Sequence, residues 1–192
     1  MSTQSNSGSG KTAFRVITQG TPNPNALKFI SARDVKTKGK VSYSHPAECL
    51  NVPLAAGLLG IPHVTQVHFF ENVITVTQDG EGDWPVLEES IINVIQELLP
   101  GHNPEFAVDE VKSRENLTPE MIKIEEILDR TIRPGLQADG GDIEVLEFKD
   151  NVLVVRYEGA CGSCPSARTA TLDGITGILK HEYHPDIRIE AV

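Results

Sequence analysis

The chain has 192 residues, of which 39% are hydrophobic, and its 27 acidic against 17 basic side chains give a net charge of -10. This is the content of one or two compact domains. The scattering of Lys and Arg among a larger number of acids argues against a nucleic-acid surface, which relies on clustered cations. No run of about 18 apolar residues occurs, so no membrane-spanning helix is expected, and the expected partners are proteins or small ions. Three cysteines are too few, and odd in number, for a disulfide framework, and "MSTQSNSGSGK" lacks the apolar stretch of a secretory signal. A reducing compartment follows, most simply the cytoplasm, with the mitochondrial matrix after removal of a transit peptide as the alternative.

Residues 1–12 are rich in Ser, Gly and Asn and read as a disordered tail, because such a segment cannot bury enough surface to offset its conformational entropy. "GSGKT" within it imitates a phosphate loop. That motif requires a Gly where Ser5 stands, and a preceding strand that is missing.

Residues 13–110 read as an α+β domain. "FRVIT" and "ALKFI" flank "QGTPNPN" as an antiparallel pair. "NVPLAAGLLG" reads as a short helix with Asn51 as N-cap and Gly60 as stop. "VTQVHFF" and "VITVT" alternate with period two across "EN", the pattern of a hairpin. A longer helix follows, capped by Asp83, with Leu87, Ile91, Val94, Ile95 and Leu98 on one face before "PGH" ends it.

Residues 111–117 carry mixed charge without apolar periodicity and read as a linker. From 118 to 192 a second small domain is expected. Thr118 caps a helix with a stripe through Leu117, Met121, Ile124, Leu128 and Ile132, while Lys123, Glu125, Glu126, Asp129 and Arg130 face water. "RPGLQADGGD" reads as a loop, with Gly140 and Gly141 turning at positive φ and Asp139 and Asp142 as turn residues. "IEVLEF" and "VLVVRY" form a hairpin, a second helix starts near Pro165 and fades by His184, and "IRIEA" is a last strand. The expected fold is thus α+β in two small domains, the second α-β-β-α-β with a mixed sheet and two helices.

Cys161 and Cys164, in "YEGACGSCPSART", carry the chemistry. Pro165 favours the first helical position, which puts Cys164 at the N-cap and Cys161 in the preceding loop. The positive end of the helix favours thiolates there, and the small residues Gly159, Ala160, Gly162 and Ser163 let the backbone close around an inorganic group. Inert packing, a dithiol redox pair, a zinc site and an iron–sulfur site are all compatible with the pair. Redox motifs of this spacing usually follow a strand in a parallel β-α-β unit, and the expected hairpin weakens that case. Zinc needs four ligands, whereas His181 and His184 stand at the far end of a helix about 24 Å long, at about 1.5 Å per residue. Clusters are commonly held by four cysteines, which two chains would supply together.

"GACGSCPSARTATLDGI", with the upstream "IRPGLQADGGDIEV", resembles the C-terminal domain of the NifU family, the Nfu-type iron–sulfur scaffold and carrier proteins. "TPNPNALKFI" resembles the opening of the N-terminal domain of its two-domain members. The resemblance implies a non-enzymatic carrier that holds a 4Fe–4S cluster between two protomers. It implies Cys161 and Cys164 as ligands, a homodimer when loaded, upstream cluster-assembly machinery as donor and apo iron–sulfur proteins as acceptors. Where the family tends to have Lys in "TLKxGI", this chain has Asp173, a departure that bears on partner choice. A dithiol oxidoreductase and a zinc-bridged interaction module are the alternatives.

The remaining features read as structural. Cys49 is a lone cysteine expected to pack as a small hydrophobe. "HEYH" at 181–184 has its histidines three apart rather than the four a zinc-protease helix needs, and reads as a helix end.

Overall fold

The computed structural model describes residues 14–107, 117–162 and 165–192, with the backbone alone over 165–170. The expected tail, its "GSGKT" and almost all of the expected linker fall outside these residues. Among the described residues no helix is long and apolar enough to cross a membrane.

The first half forms a five-stranded antiparallel sheet, ordered β1-β2-β5-β4-β3, from β1 (Ile17–Gly20), β2 (Ala26–Ile30), β3 (Lys36–Tyr43), β4 (Val64–Glu71) and β5 (Val73–Gln78). Two helices, α1 (Pro53–Leu59) and α2 (Trp84–Leu98), share an apolar core with one face of it. Period-two alternation decides the faces. Val67, Phe69, Ile74 and Val76 enter the core, and His68, Thr75 and Thr77 lie on the opposite face. Asp83 stands at the N-cap of α2 but makes no side-chain cap hydrogen bond, so packing rather than capping holds this helix. A cap contributes about 1 kcal/mol. Burying Leu87, Ile91 and Ile95 contributes roughly 1.5–3 kcal/mol each. The N-cap of α1 is Val52, one residue beyond the expected Asn51.

Strand β3 is absent from the pattern reading because "KTKGKVSY" looks like a charged loop. Lys36 pairs with Glu71 and Lys40 with Phe70, so four residues of β3 span one step of β4, with Gly39 at φ 66° in the bulge. Neighbouring residues of β4 face opposite sides, and the two lysines therefore do as well. Lys36 turns to the core side, where Nζ donates to Phe106 O at 3.0 Å and lies over the Phe106 ring. Burial pushes its pKa below the ordinary value. Lys40 emerges on the polar face.

The second half contains α3 (Pro119–Thr131), α4 (Arg133–Ala138), β6 (Gly141–Lys149), β7 (Val152–Gly159), α5 (Pro165–Glu182) and β8 (Arg188–Ala191). Its sheet runs β6-β7-β8, antiparallel then parallel, which is the expected mixed sheet. Ile124, Leu128, Ile143, Leu153, Val155, Ile175 and Leu179 form a separate core. Thr118 caps α3 by accepting from Met121 N at 3.3 Å.

Three expectations change here. "RPGLQA" is a helix rather than a loop, so the order is α-α-β-β-α-β. Gly140 has φ 82°, but Gly141 already begins β6. Glu125 is buried rather than solvated. Arg133, which opens α4 and reaches inward, accounts for the buried Glu125. Its guanidinium donates to Glu125 at 2.5 Å, to Asp129, to Asp142 at 3.2 Å and to Ile143 O at 3.0 Å. Burial opposes its charge, yet these acids raise its pKa above the ordinary value. Asp142, fully buried, also accepts from Gln137 at 2.9 Å and from its own neighbour's amide, Ile143 N.

Removing one partner of a buried ion pair leaves an uncompensated charge. Arg133→Met is therefore expected to destabilise the second unit by about 3–5 kcal/mol in denaturant titrations, with Arg133→Lys falling in between.

Candidate metal centre

The cysteine loop leaves β7 at a corner built of glycine. Gly159 pairs with Gly141 at the end of the β6–β7 ladder and adopts φ 59°, and a Cβ on it would stand 2.5 Å from Gly140 O. Ala160 N donates to Gly140 O at 3.1 Å, and Gly162 N to Gly159 O at 3.1 Å, which closes the turn. Cys161 is half-buried at its apex, with its sulfur directly over the Cα of Gly141. A Cβ on Gly141 would collide with Cys161 Sγ and would also stand 2.9 Å from Cys161 N and from Glu158 O. Cys164 lies outside the described residues, so the expected ligand pair is represented by Cys161 alone. α5 begins at Pro165, as expected.

The donor chemistry suits soft metal ions and clusters, since thiolate is the ligand that selects them. The Cβ-free floor at Gly141 leaves space for the Cys161 sulfur. One earlier argument fails. β7, α5 and β8 form a β-α-β crossover with β7 and β8 parallel, and the loop lies at its strand-to-helix turn. The hairpin of β6 and β7 is real, but it does not weaken a dithiol reading.

The polar face of the first sheet packs against this corner, a contact with no signal in the sequence. Asn23 Nδ2 donates to Ala160 O at 2.8 Å, and Lys28 Nζ to Ala138 O at 2.5 Å. Lys40 Nζ donates to Ile143 O at 2.8 Å and pairs with Asp142 at 2.7 Å and Glu158 at 3.1 Å. Glu158 Oε2 is thus ion-paired to Lys40, whereas among the described residues Thr75 Oγ1 and Thr77 Oγ1 are buried without a hydrogen-bond partner. Asp142 thus serves cations from both halves. Burial pushes its carboxyl up, but Lys40, Gln137 and the Ile143 amide more than offset this, and its pKa lies below the ordinary value.

The other candidates lie apart from the loop. Cys49 is buried in the first core, and burial, then Glu48, raises its thiol pKa, as suits a packing role. His184 Nδ1 accepts from Asp186 N at 3.2 Å, which fits the helix-end reading of "HEYH". His63, Asp79 and Glu81 cluster on the surface of the first unit, where the His63–Asp79 pair at 3.1 Å is exposed.

Two measurements probe this geometry. Gly141→Ala forces Cys161 to move and should cost about 1–3 kcal/mol in thermal unfolding. Gly174→Ala in α5, where a Cβ meets nothing within 4 Å among the described residues, should be neutral or stabilise by up to about 1 kcal/mol. His68, buried against Ser42 with 2.8 Å between Nδ1 and Oγ, has its pKa lowered from 6.5, first by burial. A lowered histidine pKa means that the unfolded chain takes up protons more readily. Stability is then complete above pH 6.5 and declines as pH falls below it. His68→Gln should flatten that decline in melting temperatures measured on either side of pH 6.5.

Comparison with known proteins gives this geometry a family. Residues 16–102 match the family described as scaffold protein Nfu/NifU N terminal, and residues 124–190 match the NifU-like domain. The chain is 35% identical over 177 residues to the NFU1 iron-sulfur cluster scaffold homolog, mitochondrial, of Homo sapiens, covering 90% of this chain and 69% of that protein. It is 31% identical over 182 residues to NifU-like protein 4, mitochondrial, of Arabidopsis thaliana, covering 91% and 64%. It therefore spans roughly two thirds of the length of these relatives. The solution structure of a NifU-like protein from Saccharomyces cerevisiae covers 53% of this chain and 90% of its own at 25% identity and a TM-score of 0.43. With both domain models matched in order and the human relative aligned over most of both chains, the chain belongs to the NifU family, as an Nfu-type protein with an N-terminal Nfu domain and a C-terminal NifU-like domain.

Proposed function

We propose that this chain is an iron–sulfur scaffold and carrier that holds a 4Fe–4S cluster between two protomers, through Cys161 and Cys164 of each, and transfers it to apo-proteins. The observation that carries the reading is the coincidence of the NifU-like match at 124–190 with a glycine corner that presents Cys161 against a floor free of Cβ. The names of the human and fruit-fly relatives, iron-sulfur cluster scaffold homologs, support the scaffold role. Two cysteines per chain fall short of the usual four, and a twofold pair supplies the rest.

Sharing also supplies a transfer mechanism. A cluster held half by each chain lies at an interface, where thiolates of an acceptor can replace those of the carrier one at a time. No bond in the carrier is made or broken permanently, so the chain acts as a carrier rather than a catalyst. Cluster-assembly machinery would load it and apo iron–sulfur proteins would unload it. The relatives' names favour the mitochondrial matrix over the cytoplasm as its compartment. The expected 13–110 and 118–192 domains would divide the work, with the second carrying the ligands.

A dithiol oxidoreductase is the second reading, favoured by the placement of the loop in the β7-α5-β8 crossover. Reconstitution with iron and sulfide without oxygen separates the two. The carrier is expected to turn brown with broad visible absorption, and Cys161→Ser and Cys164→Ser are each expected to lose most of that colour. Full colour in either variant would remove the proposed ligand set. A colourless wild-type protein that cycles between dithiol and disulfide would favour the second reading.

A further inference from the structure

We propose that the polar face of the N-terminal sheet is a releasable cover for the cysteine loop, and that its occupant in the cluster-free protein is the chain's own second unit. The consequence for loading rests on the carrier reading above, whereas the cover itself rests on contacts within one chain.

The contacts fall on the loop and its base. Asn23 bonds Ala160 O, the residue before Cys161. A Cβ on Gly162, the residue after it, would lie 3.5 Å from Gln66 Oε1. Lys40 binds Asp142 and Glu158 on the two strands that carry the corner, and a Cβ on Gly159 would stand 3.3 Å from the His68 ring. One flank of the loop is therefore occupied by the first sheet. Four thiolates around one cluster require the loops of two chains to approach closely, and a flank covered in this way cannot be offered to a second chain.

The chemistry of the contact favours release. Its groups are polar or charged, as in domain interfaces that open, rather than apolar, as in permanent ones. Among the described residues Thr75 Oγ1 and Thr77 Oγ1, on this face, are buried without a hydrogen-bond partner, and each such unpaired group opposes closure. Against these losses stands Lys40, the one residue among the described residues that ion-pairs with both Asp142 and Glu158. The bulge at Gly39 that sends Lys40 to this face thus gives β3 a role that its position at the sheet edge does not require.

The test measures alkylation of the cluster-free full chain by a small iodoacetamide reagent, with each cysteine followed by peptide mass. Cys49, buried in the first core, is the internal reference for opening of the first unit, and the denaturant midpoint of each variant separates undocking from unfolding of the second. In Lys40→Ala the ratio of the Cys161 rate to the Cys49 rate is expected to rise about tenfold, which corresponds to about 1.4 kcal/mol of lost docking free energy. Asn23→Ala should raise the ratio in the same direction without altering any charge. An unchanged ratio in both variants would overturn the cover. A raised ratio in a protein that never takes up iron would retain the cover and remove the carrier reading, so the two claims fail separately.

Discussion

The buried carboxylate of Asp142 is the charge around which both halves of the chain are arranged. An isolated carboxylate in this position would be too costly to keep ionised, and it is kept so by two cations of different origin. Arg133 arrives from α4 within the same unit, and Lys40 crosses from β3 of the other. Arg133, at the start of the helix formed by "RPGLQA", also pairs with the buried Glu125. The Lys40 pairing sets the corner of β6 and β7 against the polar face of the first sheet. The cysteine loop grows from that same corner, so its surroundings are shaped by an interaction that none of its own residues makes.

At the loop itself, space is the controlling quantity. Gly141 and Gly159 face each other across the last rung of the ladder, and side chains on either would strike Cys161 or the opposite backbone. The result is a thiol on a bare backbone floor, with small neighbours on both sides. Such a place can accept a bulky inorganic group without rearranging a packed core.

The sequence showed where periodicity and punctuation operate and failed where distant charges do. The β1–β2 and β4–β5 pairs, α2, the Thr118 cap and the start of α5 at Pro165 are all visible in local pattern. Strand β3 was hidden because Lys36, Lys38 and Lys40 look solvated until the bulge sends two of them to opposite faces. Asp142 read as a turn residue beside two glycines because its partners lie nine residues upstream and in another unit altogether. A mixed sheet was expected, and the parallel pairing of β8 with β7 in particular removed one argument against dithiol chemistry. Spacing and flanking glycines single out Cys161 as a candidate, and the scaffold names of the relatives support an iron–sulfur role for the family, while the ligand role of Cys161 remains a proposal.

The central claim is that two chains share one cluster. Its most direct test is molar mass measured together with iron and sulfide on protein purified without oxygen. The account predicts a dimer with about four iron and four sulfide per two chains, by the four-cysteine ligation rule. A monomer carrying a full cluster, or a dimer holding a single zinc ion and no sulfide, would contradict it.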